Sequence, residues 1–250
     1  MKDYTISETF VLPSKGKIYN SVVPEVRLRS MSTMEEMKRL SPTDTPYKTM
    51  SEIIDDCLID DIGISSYDLC IGDYLFLLHR LRVVTYGSKY TLTSICPFCG
   101  CENTDTIDLL DIPIKEYDEE NEKYRSFILP TSGKEILLKY QTPRMVDTVE
   151  LKVKELKKKA KDLDYDPTIS YSVAMMIKEI DGVHHDFAKV EKWVKELSMA
   201  DTNYILAYAD KLNSSIGLDL VLHNECEVCG LEFATTFRTT NEFFRPTLDI

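Results

Sequence analysis

Two short motifs restrict the fold of this chain more than any other feature of its sequence. They read Cys-Pro-Phe-Cys-Gly at residues 96–100 and Cys-Glu-Val-Cys-Gly at residues 226–230. A Cys-x-x-Cys turn directs two thiolates at one point, and the glycine after it permits the left-handed backbone that closes the turn. Two such turns supply the four sulfur ligands of a tetrahedral zinc site. The sequence therefore predicts one structural Zn²⁺ bound by Cys96, Cys99, Cys226 and Cys229.

The two motifs are far apart in the chain, with 126 residues between them. Alternating apolar residues flank each motif, which predicts a strand on either side of it. We call the Cys-x-x-Cys-Gly turns at 96–100 and 226–230 the two knuckles. Two strand–knuckle–strand units together make a zinc ribbon. The residues between them are then an insertion, which is tolerated because the entropy of loop closure grows slowly with loop length. The metal is expected to hold the two ends of that insertion together.

The cysteine motifs have two alternative interpretations. Unliganded thiols or a redox pair are the alternatives, but a redox motif is expected between a strand and a helix, and here the flanks look like strands. Four thiolates leave no open position for a catalytic water, so the metal is expected to be structural. Cys101 follows Gly100 directly and is not expected to be a ligand. Cys57 and Cys70 are expected to be small core residues.

The remaining patterns predict an α+β fold. Strand-like alternation with a tight turn covers 8–19, Ser32 and Glu35 form a capping box, and a strongly apolar helix begins near Gly72. A hairpin is predicted at 126–140, followed by helices at 144–163, 167–180, 187–198 and 201–213. The predicted segments are an N-terminal extended arm or hairpin (1–31), a helical region (32–86), the zinc ribbon (87–112 and 214–240), an inserted hairpin and helical subdomain (113–213) and a C-terminal tail (241–250).

Composition narrows the classes of function. Charged residues make up 29% of the chain and its formal net charge is −12. An acidic chain is a poor binder of nucleic acid, so protein partners are expected. The N-terminal residues contain no apolar stretch of signal-peptide type, and no run is long and apolar enough to span a membrane. A reducing cytoplasm is therefore expected as the place of synthesis, where cysteines favour metal binding over disulfides.

No constellation of catalytic residues is evident, so the chain is not expected to be an enzyme. It lacks glycine-rich nucleotide loops and nucleophile elbows. His79 is expected to be structural, His184 and His185 exposed, and His223 either beside the metal or, preferably, on a solvent-facing strand. The acidic pairs at 55–56 and 60–61 are expected to be solvated, and the acidic loop at 115–125 to be a solvated linker. The lysine-rich run at 152–161 is expected to be a solvated face or a contact with acidic protein.

Several segments together resemble one family. They are Phe-Val-Leu-Pro-Ser-Lys-Gly at 10–16, Val-Arg-Leu-Arg at 26–29, Gly-Asp-Tyr-Leu-Phe-Leu-Leu at 72–78, both knuckles and Glu-Phe-Phe-Arg-Pro at 242–246. The chain resembles the baseplate hub and hub-assembly proteins of T-even-type contractile-tailed bacteriophages, over most of 8–110 and 214–246. The resemblance implies a non-enzymatic structural or assembly role, with other tail and baseplate hub proteins as partners. The tape-measure protein and further copies of the chain are additional candidates, and the expected location is the host cytoplasm during assembly or the virion tail baseplate.

Two alternative functions remain. The first is a zinc-ribbon adaptor in transcription or nucleic-acid transactions, which the acidic charge disfavours. The second is a metal-dependent hydrolase, which would need an open coordination position on the metal.

The best candidates for interaction surfaces are the N-terminal hairpin around Lys15 and the tail Phe243-Phe244-Arg245-Pro246. The two adjacent phenylalanines either cap the core or anchor a partner.

Overall fold

The structure is a computed structural model that describes residues 7–160, 164–237, 239 and 241–244. In these ranges the α-helices are α1 Thr33–Leu40, α2 Pro46–Cys57, α3 Ile71–Tyr86, α4 Pro143–Lys159, α5 Thr168–Met176, α6 Phe187–Glu196 and α7 Met199–Asn213. The strands are β1 Ser7–Val11, β2 Glu25–Arg29, β3 Lys89–Ile95, β4 Glu102–Asp108, β5 Ile114–Lys115, β6 Ser126–Ile128, β7 Glu135–Leu138, β8 Ile177–Ile180, β9 Gly217–Leu218, β10 Val221–Glu225 and β11 Glu232–Thr236.

The described strands form small antiparallel sheets. Four of these sheets are pairs, β1–β2, β3–β4, β5–β9 and β10–β11, and the fifth has the order β6–β7–β8. Helices and small sheets together confirm the predicted α+β class.

The N-terminal sheet differs from the hairpin expected at residues 8–19. Strand β1 pairs with β2, which begins only at Glu25, so the connection is a long loop in place of a tight turn. The physical reason is the buried carboxylate of Asp73. It accepts hydrogen bonds from the backbone N–H of Ser14 at 2.9 Å and from the hydroxyl of Tyr19 at 2.8 Å. The loop therefore packs onto α3. Its hydrogen bonds to Asp73 take the place of the strand pairing that a short hairpin at 8–19 would form.

Helix α3 is the centre of the larger core, as its apolar sequence predicts. Its buried residues occupy every face of the helix. Gly72 at its first turn is required by packing, because an added Cβ would lie 2.1 Å from the carbonyl oxygen of Ile216. The start of α3 thus contacts the segment that leads into the second knuckle.

The capping box predicted at the start of α1 is confirmed. The backbone N–H of Ser32 donates to the Glu35 carboxylate at 2.7 Å. That carboxylate also forms a buried ion pair with Arg29 at 2.7 Å, which links α1 to β2. Met34 and Met37 lie on the outer face of α1 and are exposed.

A second group of buried apolar residues lies in the segment between the knuckles. It comprises Phe127, Leu129, Ile136, Leu138, Val173, Ala174, Met176, Ile177, Ile180, Val190, Val194, Ile205, Ala209 and Leu212. The hairpin β6–β7 confirms the expectation for 126–140. The helix predicted over 167–180 was wrong beyond Met176, because Ile177 and Ile180 pair with β7 and bury their side chains there.

The C-terminal phenylalanines complete the larger core. Phe243 and Phe244 are both buried. Phe243 packs at 4.7 Å between ring centroids against His79 and at 5.4 Å against Tyr90. Of the two readings for this tail, capping of the core is the one observed. Arg245 and the residues after it lie outside the described part of the chain.

Candidate metal centre

Each cysteine pair lies in the turn of a two-stranded hairpin, as the sequence predicts. The first knuckle connects β3 to β4, which pair from Lys89–Asp108 to Ile95–Glu102. The second connects β10 to β11, which pair from Val221–Thr236 to Glu225–Glu232. The strands therefore bring both knuckles to the ends of their hairpins.

The two knuckles have the same local geometry. The backbone N–H of Gly100 donates to the carbonyl of Cys96 at 3.0 Å, and that of Gly230 donates to the carbonyl of Cys226 at 2.8 Å. Both glycines have positive φ, 74° and 69°, which side-chain-bearing residues rarely adopt. This is the left-handed turn for which the glycine in each motif was required.

The structure brings all four predicted cysteines together. Their sulfur atoms lie within 4.8 Å of one another. The Sγ atoms of Cys96 and Cys229 are 3.8 Å apart, and those of Cys99 and Cys226 are 3.6 Å apart. A tetrahedron with Zn–S bonds of about 2.3 Å has S–S edges of roughly 3.8 Å. The spacing of the thiols and their chemistry therefore fit a tetrahedral ion such as Zn²⁺.

A fifth thiol lies beside this cluster, closer than its place after Gly100 suggested. The Sγ of Cys101 is 3.1 Å from that of Cys99 and 3.1 Å from that of Cys226. These separations are shorter than a tetrahedral S–S edge, so Cys101 does not fit as a further vertex beside both of these neighbours. The prediction that Cys101 is not a ligand stays a prediction.

Asn103 joins the two knuckles and was missed in the sequence. Its side chain is buried and its Oδ1 accepts the backbone N–H of Glu227 at 3.0 Å. Its Nδ2 donates to the carbonyl of Cys101 at 3.4 Å. Asn224 makes a second polar link, donating to Ser94 at 3.5 Å. An asparagine three residues after a Cys-x-x-Cys-Gly motif was the only available signal, and it is a weak one.

Electrostatics within the cluster favour a bound cation. The backbone N–H of Cys229 and the thiol of Cys101 lower the pKa of Cys226 to about 5. The sulfurs of Cys226 and Cys99 in turn raise the pKa of Cys101 to about 12. One thiolate thus opposes ionisation of its neighbour, and a divalent cation removes that repulsion. Thiolates are the form in which cysteine binds metal.

The histidines lie away from this cluster or face solvent. His79 is buried on α3, its Nε2 is 3.2 Å from the hydroxyl of Thr239, and burial lowers its pKa to about 3. It is structural as expected, although its Nδ1 has no hydrogen-bond partner within the described residues. His184 and His223 are exposed and His185 is partly buried. His223 therefore lies at a solvent-facing strand position, which is the alternative that the sequence favours.

The acidic and basic runs form surface ion pairs. Asp60 pairs with Arg27 at 2.5 Å and Lys154 pairs with Asp44 at 3.0 Å, all with exposed side chains. Lys161, at the end of the lysine-rich run, lies outside the described residues. Cys57 and Cys70 are buried, as predicted.

A comparison with known protein families shows to which family the chain belongs. The sequence model described as T4 bacteriophage base plate protein matches residues 4–245, nearly the whole chain. The chain belongs to this family. The resemblance found in the sequence is confirmed, and membership in the base plate family supports a structural role in the tail baseplate, alongside other baseplate components. Neither a curated protein nor a solved structure gives a significant match.

Within the described ranges, no helix of this base plate protein combines the length and the apolar character needed to cross a bilayer.

Proposed function

We propose that this chain is a non-enzymatic structural or assembly component of the central hub of a contractile-tail baseplate. One structural Zn²⁺, bound by Cys96, Cys99, Cys226 and Cys229, joins its two knuckle-bearing hairpins into a zinc ribbon. The observation that carries the proposal is the convergence of four thiols, from motifs far apart in sequence, in a family of baseplate proteins. Four thiolates fill a tetrahedral ion, so the metal has no open position for a substrate.

The proposed metal also accounts for the organisation of the chain. The knuckles lie on either side of the segment 113–213, so a bound ion ties together the two ends of that segment. The second group of buried apolar residues lies inside it, which supports the proposed division into an N-terminal hairpin, a helical region, the ribbon, an inserted subdomain and a tail. A compact part of defined shape suits an assembly that is built from many interlocking proteins.

The alternative, a zinc-ribbon adaptor for nucleic acid, is disfavoured by charge. The stretches 90–114 and 212–237, which contain both hairpins except for Lys89, include eight Asp or Glu residues and no Lys or Arg. Lys89 lies at the end of β3 remote from the knuckle and pairs with Asp108 at 3.1 Å. Contacts with phosphate require Lys and Arg, so these hairpins lack the residues for that role.

The proposal is tested in a phage that cannot express this chain. We expect tail assembly to stop before a complete baseplate forms, and the wild-type chain supplied from a plasmid to restore it. Normal tails in the absence of the chain would contradict the proposed function. Co-purification with wedge proteins only, without hub or tape-measure proteins, would show that the assignment to the hub is wrong.

Mass spectrometry of purified virions then distinguishes the two forms of the proposal. A structural component is found in the particle at a fixed copy number, whereas an assembly factor is found only in infected cells. The expected partners are other baseplate hub proteins in both cases, with the tape-measure protein and further copies of this chain as additional candidates. The host cytoplasm is the expected site of assembly.

A further inference from the structure

The ends of the two metal hairpins expose large apolar side chains. Phe98 is 61% exposed and Val228 is 74% exposed, and they occupy equivalent positions, two residues after the first cysteine of each motif. Ile95 and Leu231, at the strand ends beside the knuckles, are also exposed. We call these four residues the knuckle surface. Exposed apolar residues that gather at one place mark interaction sites more often than single ones do.

The two halves of the knuckle surface are held near each other, because the two knuckles adjoin. The thiols on either side of Phe98 and Val228 lie within 4.8 Å of one another. The contact of Asn103 with the backbone of Glu227 crosses directly from one hairpin to the other. The turns that carry Phe98 and Val228 are therefore joined at the thiol cluster and at the Asn103 contact.

The charge around this surface has a single sign. Glu102, Glu225, Glu227 and Glu232 are exposed beside the cysteine turns. The one basic residue of the two hairpins, Lys89, lies at the opposite end of β3 and pairs with Asp108. An anionic rim around an apolar centre repels phosphate backbones and anionic lipid headgroups, and it attracts a surface of the opposite charge.

We propose that the knuckle surface docks a protein partner in the baseplate that offers an apolar pocket framed by Lys or Arg. Phe98 and Val228 enter the pocket, and the glutamates pair with the basic rim. The inference rests on the proposed function, since it names the surface through which this chain joins a baseplate assembly. Interfaces of this kind combine a buried aromatic or aliphatic centre with a charged rim that guides the encounter.

The test uses baseplate intermediates isolated from infections with a phage that lacks this chain. The zinc-loaded wild type is compared with the double variant Phe98→Ser/Val228→Ser and with Glu227→Lys/Glu232→Lys. The matched control is Met34→Ser/Met37→Ser, which removes two exposed apolar side chains from α1. Zinc content and thermal unfolding are measured for every variant, so that loss of fold is separated from loss of binding.

We expect each knuckle-surface variant to bind the intermediates at least about 10-fold more weakly with unchanged zinc content, and the control to bind like the wild type. Binding of the wild type should weaken as salt rises, because the rim interaction is screened. Knuckle-surface variants that keep zinc and bind as the wild type does would overturn the docking proposal alone. A wild type that binds no intermediate would overturn the proposed function and this inference with it.

Two further probes separate the classes of partner. Duplex DNA and vesicles of anionic phospholipid are offered to the same proteins at low salt, and we expect no binding to either. Binding to either probe that the knuckle-surface variants lose would assign this surface to nucleic acid or membrane and overturn the protein-docking proposal.

Discussion

The core around α3 and the two cysteine-bearing hairpins, β3–β4 and β10–β11, are stabilised by different means. Around α3, large side chains such as Tyr74, Phe76 and Leu77 are almost fully buried, and each contributes about 1.5–3 kcal/mol through burial of apolar surface. Between the hairpins, the buried apolar cluster within the described part of the chain consists of Cys96, Cys226 and Phe233. Isolated two-stranded hairpins are marginal in water. Burial therefore accounts for the first region. In the second, Tyr90, Leu92, Ile107 and Leu222 pack against the α3 core, and we propose that the knuckle ends of the hairpins depend on a bound metal.

The largest effect on the difference between the two regions is expected from changes to the thiols. We expect Cys226→Ser to lose tightly bound zinc, since structural zinc sites contribute roughly 10–16 kcal/mol of apparent binding free energy in small zinc peptides. Native mass spectrometry measures the zinc, and hydrogen exchange should show that protection is lost in β3–β4 and β10–β11 while α3 keeps its own. Cys57→Ala, which changes a buried thiol outside the cluster, is the control. Equal loss of protection in α3 would contradict the distinction.

The next largest effect is expected from a change in the apolar core around α3, away from the thiols. Phe76→Ala removes a nearly fully buried ring that also packs edge-on against Phe10 at 6.3 Å. We expect the free energy of unfolding to fall by about 3–5 kcal/mol. Urea denaturation measures the loss, and one zinc per folded chain should be retained. Loss of zinc from the folded variant would show that the two regions are not independent.

A pH-dependent contribution is expected at the buried ion pair of Glu35 with Arg29. Burial favours the neutral acid, but the hydrogen bonds from Arg29 and Ser32 outweigh it and lower the pKa of Glu35 to about 2, from an ordinary value of 4.5. Because the folded state holds this pKa low, the stabilisation is present above about pH 4.5 and is lost as the pH falls towards 2.

The variant Glu35→Gln tests this contribution. We expect it to lower the free energy of unfolding by about 3 kcal/mol at neutral pH, which corresponds to the shift in pKa. The stabilities of variant and wild type should converge as the pH falls, and denaturation curves at several pH values measure this. A difference that stays constant down to pH 2 would contradict the assignment.

A smaller effect is expected where α4 joins the α3 core. The buried carboxylate of Asp147 accepts the backbone N–H of Lys48 at 2.8 Å, at the start of α2, and the hydroxyl of Tyr67 at 3.0 Å. We expect Asp147→Asn to lower the free energy of unfolding by about 1–3 kcal/mol, because a charged acceptor at a helix N-terminus is lost. Thermal unfolding with zinc bound measures it. An unchanged midpoint would show that this carboxylate is dispensable.

The smallest change is expected at the fifth thiol. Cys101→Ser should keep one zinc per chain, because the S–S spacing of the other four cysteines already fits a tetrahedral ion. Titration with zinc against a chromophoric chelator compares its affinity with that of the wild type. A loss as large as that of Cys226→Ser would show that Cys101 is itself a ligand.

The parts of this molecule that were predictable are those set by local sequence. The knuckles follow from cysteine spacing and a single glycine, the capping box from Ser32 and Glu35, and α3 from its apolar run. The contacts of Ser14 and Tyr19 with Asp73 join residues more than fifty positions apart, and no local pattern encodes them.

Two other features were missed for the same reason. The sequence predicts helix at strand β8 because a short apolar segment is compatible with both helix and strand, and only the pairing with β7 decides between them. Asn103 bridges the knuckles across 124 positions, so its role depends on a partner that the motif does not reveal. Side chains whose place is set by distant partners are thus the ones that the sequence left open.

Whether a metal holds the two hairpins together is decided by measuring zinc in the purified protein. Native mass spectrometry of the wild type should show one zinc per chain, absent from Cys96→Ser and Cys226→Ser. Removal of the zinc with a chelator should open both hairpins and leave the core around α3 folded. A wild-type chain that is fully folded without metal, with both hairpins protected from hydrogen exchange, would contradict the account.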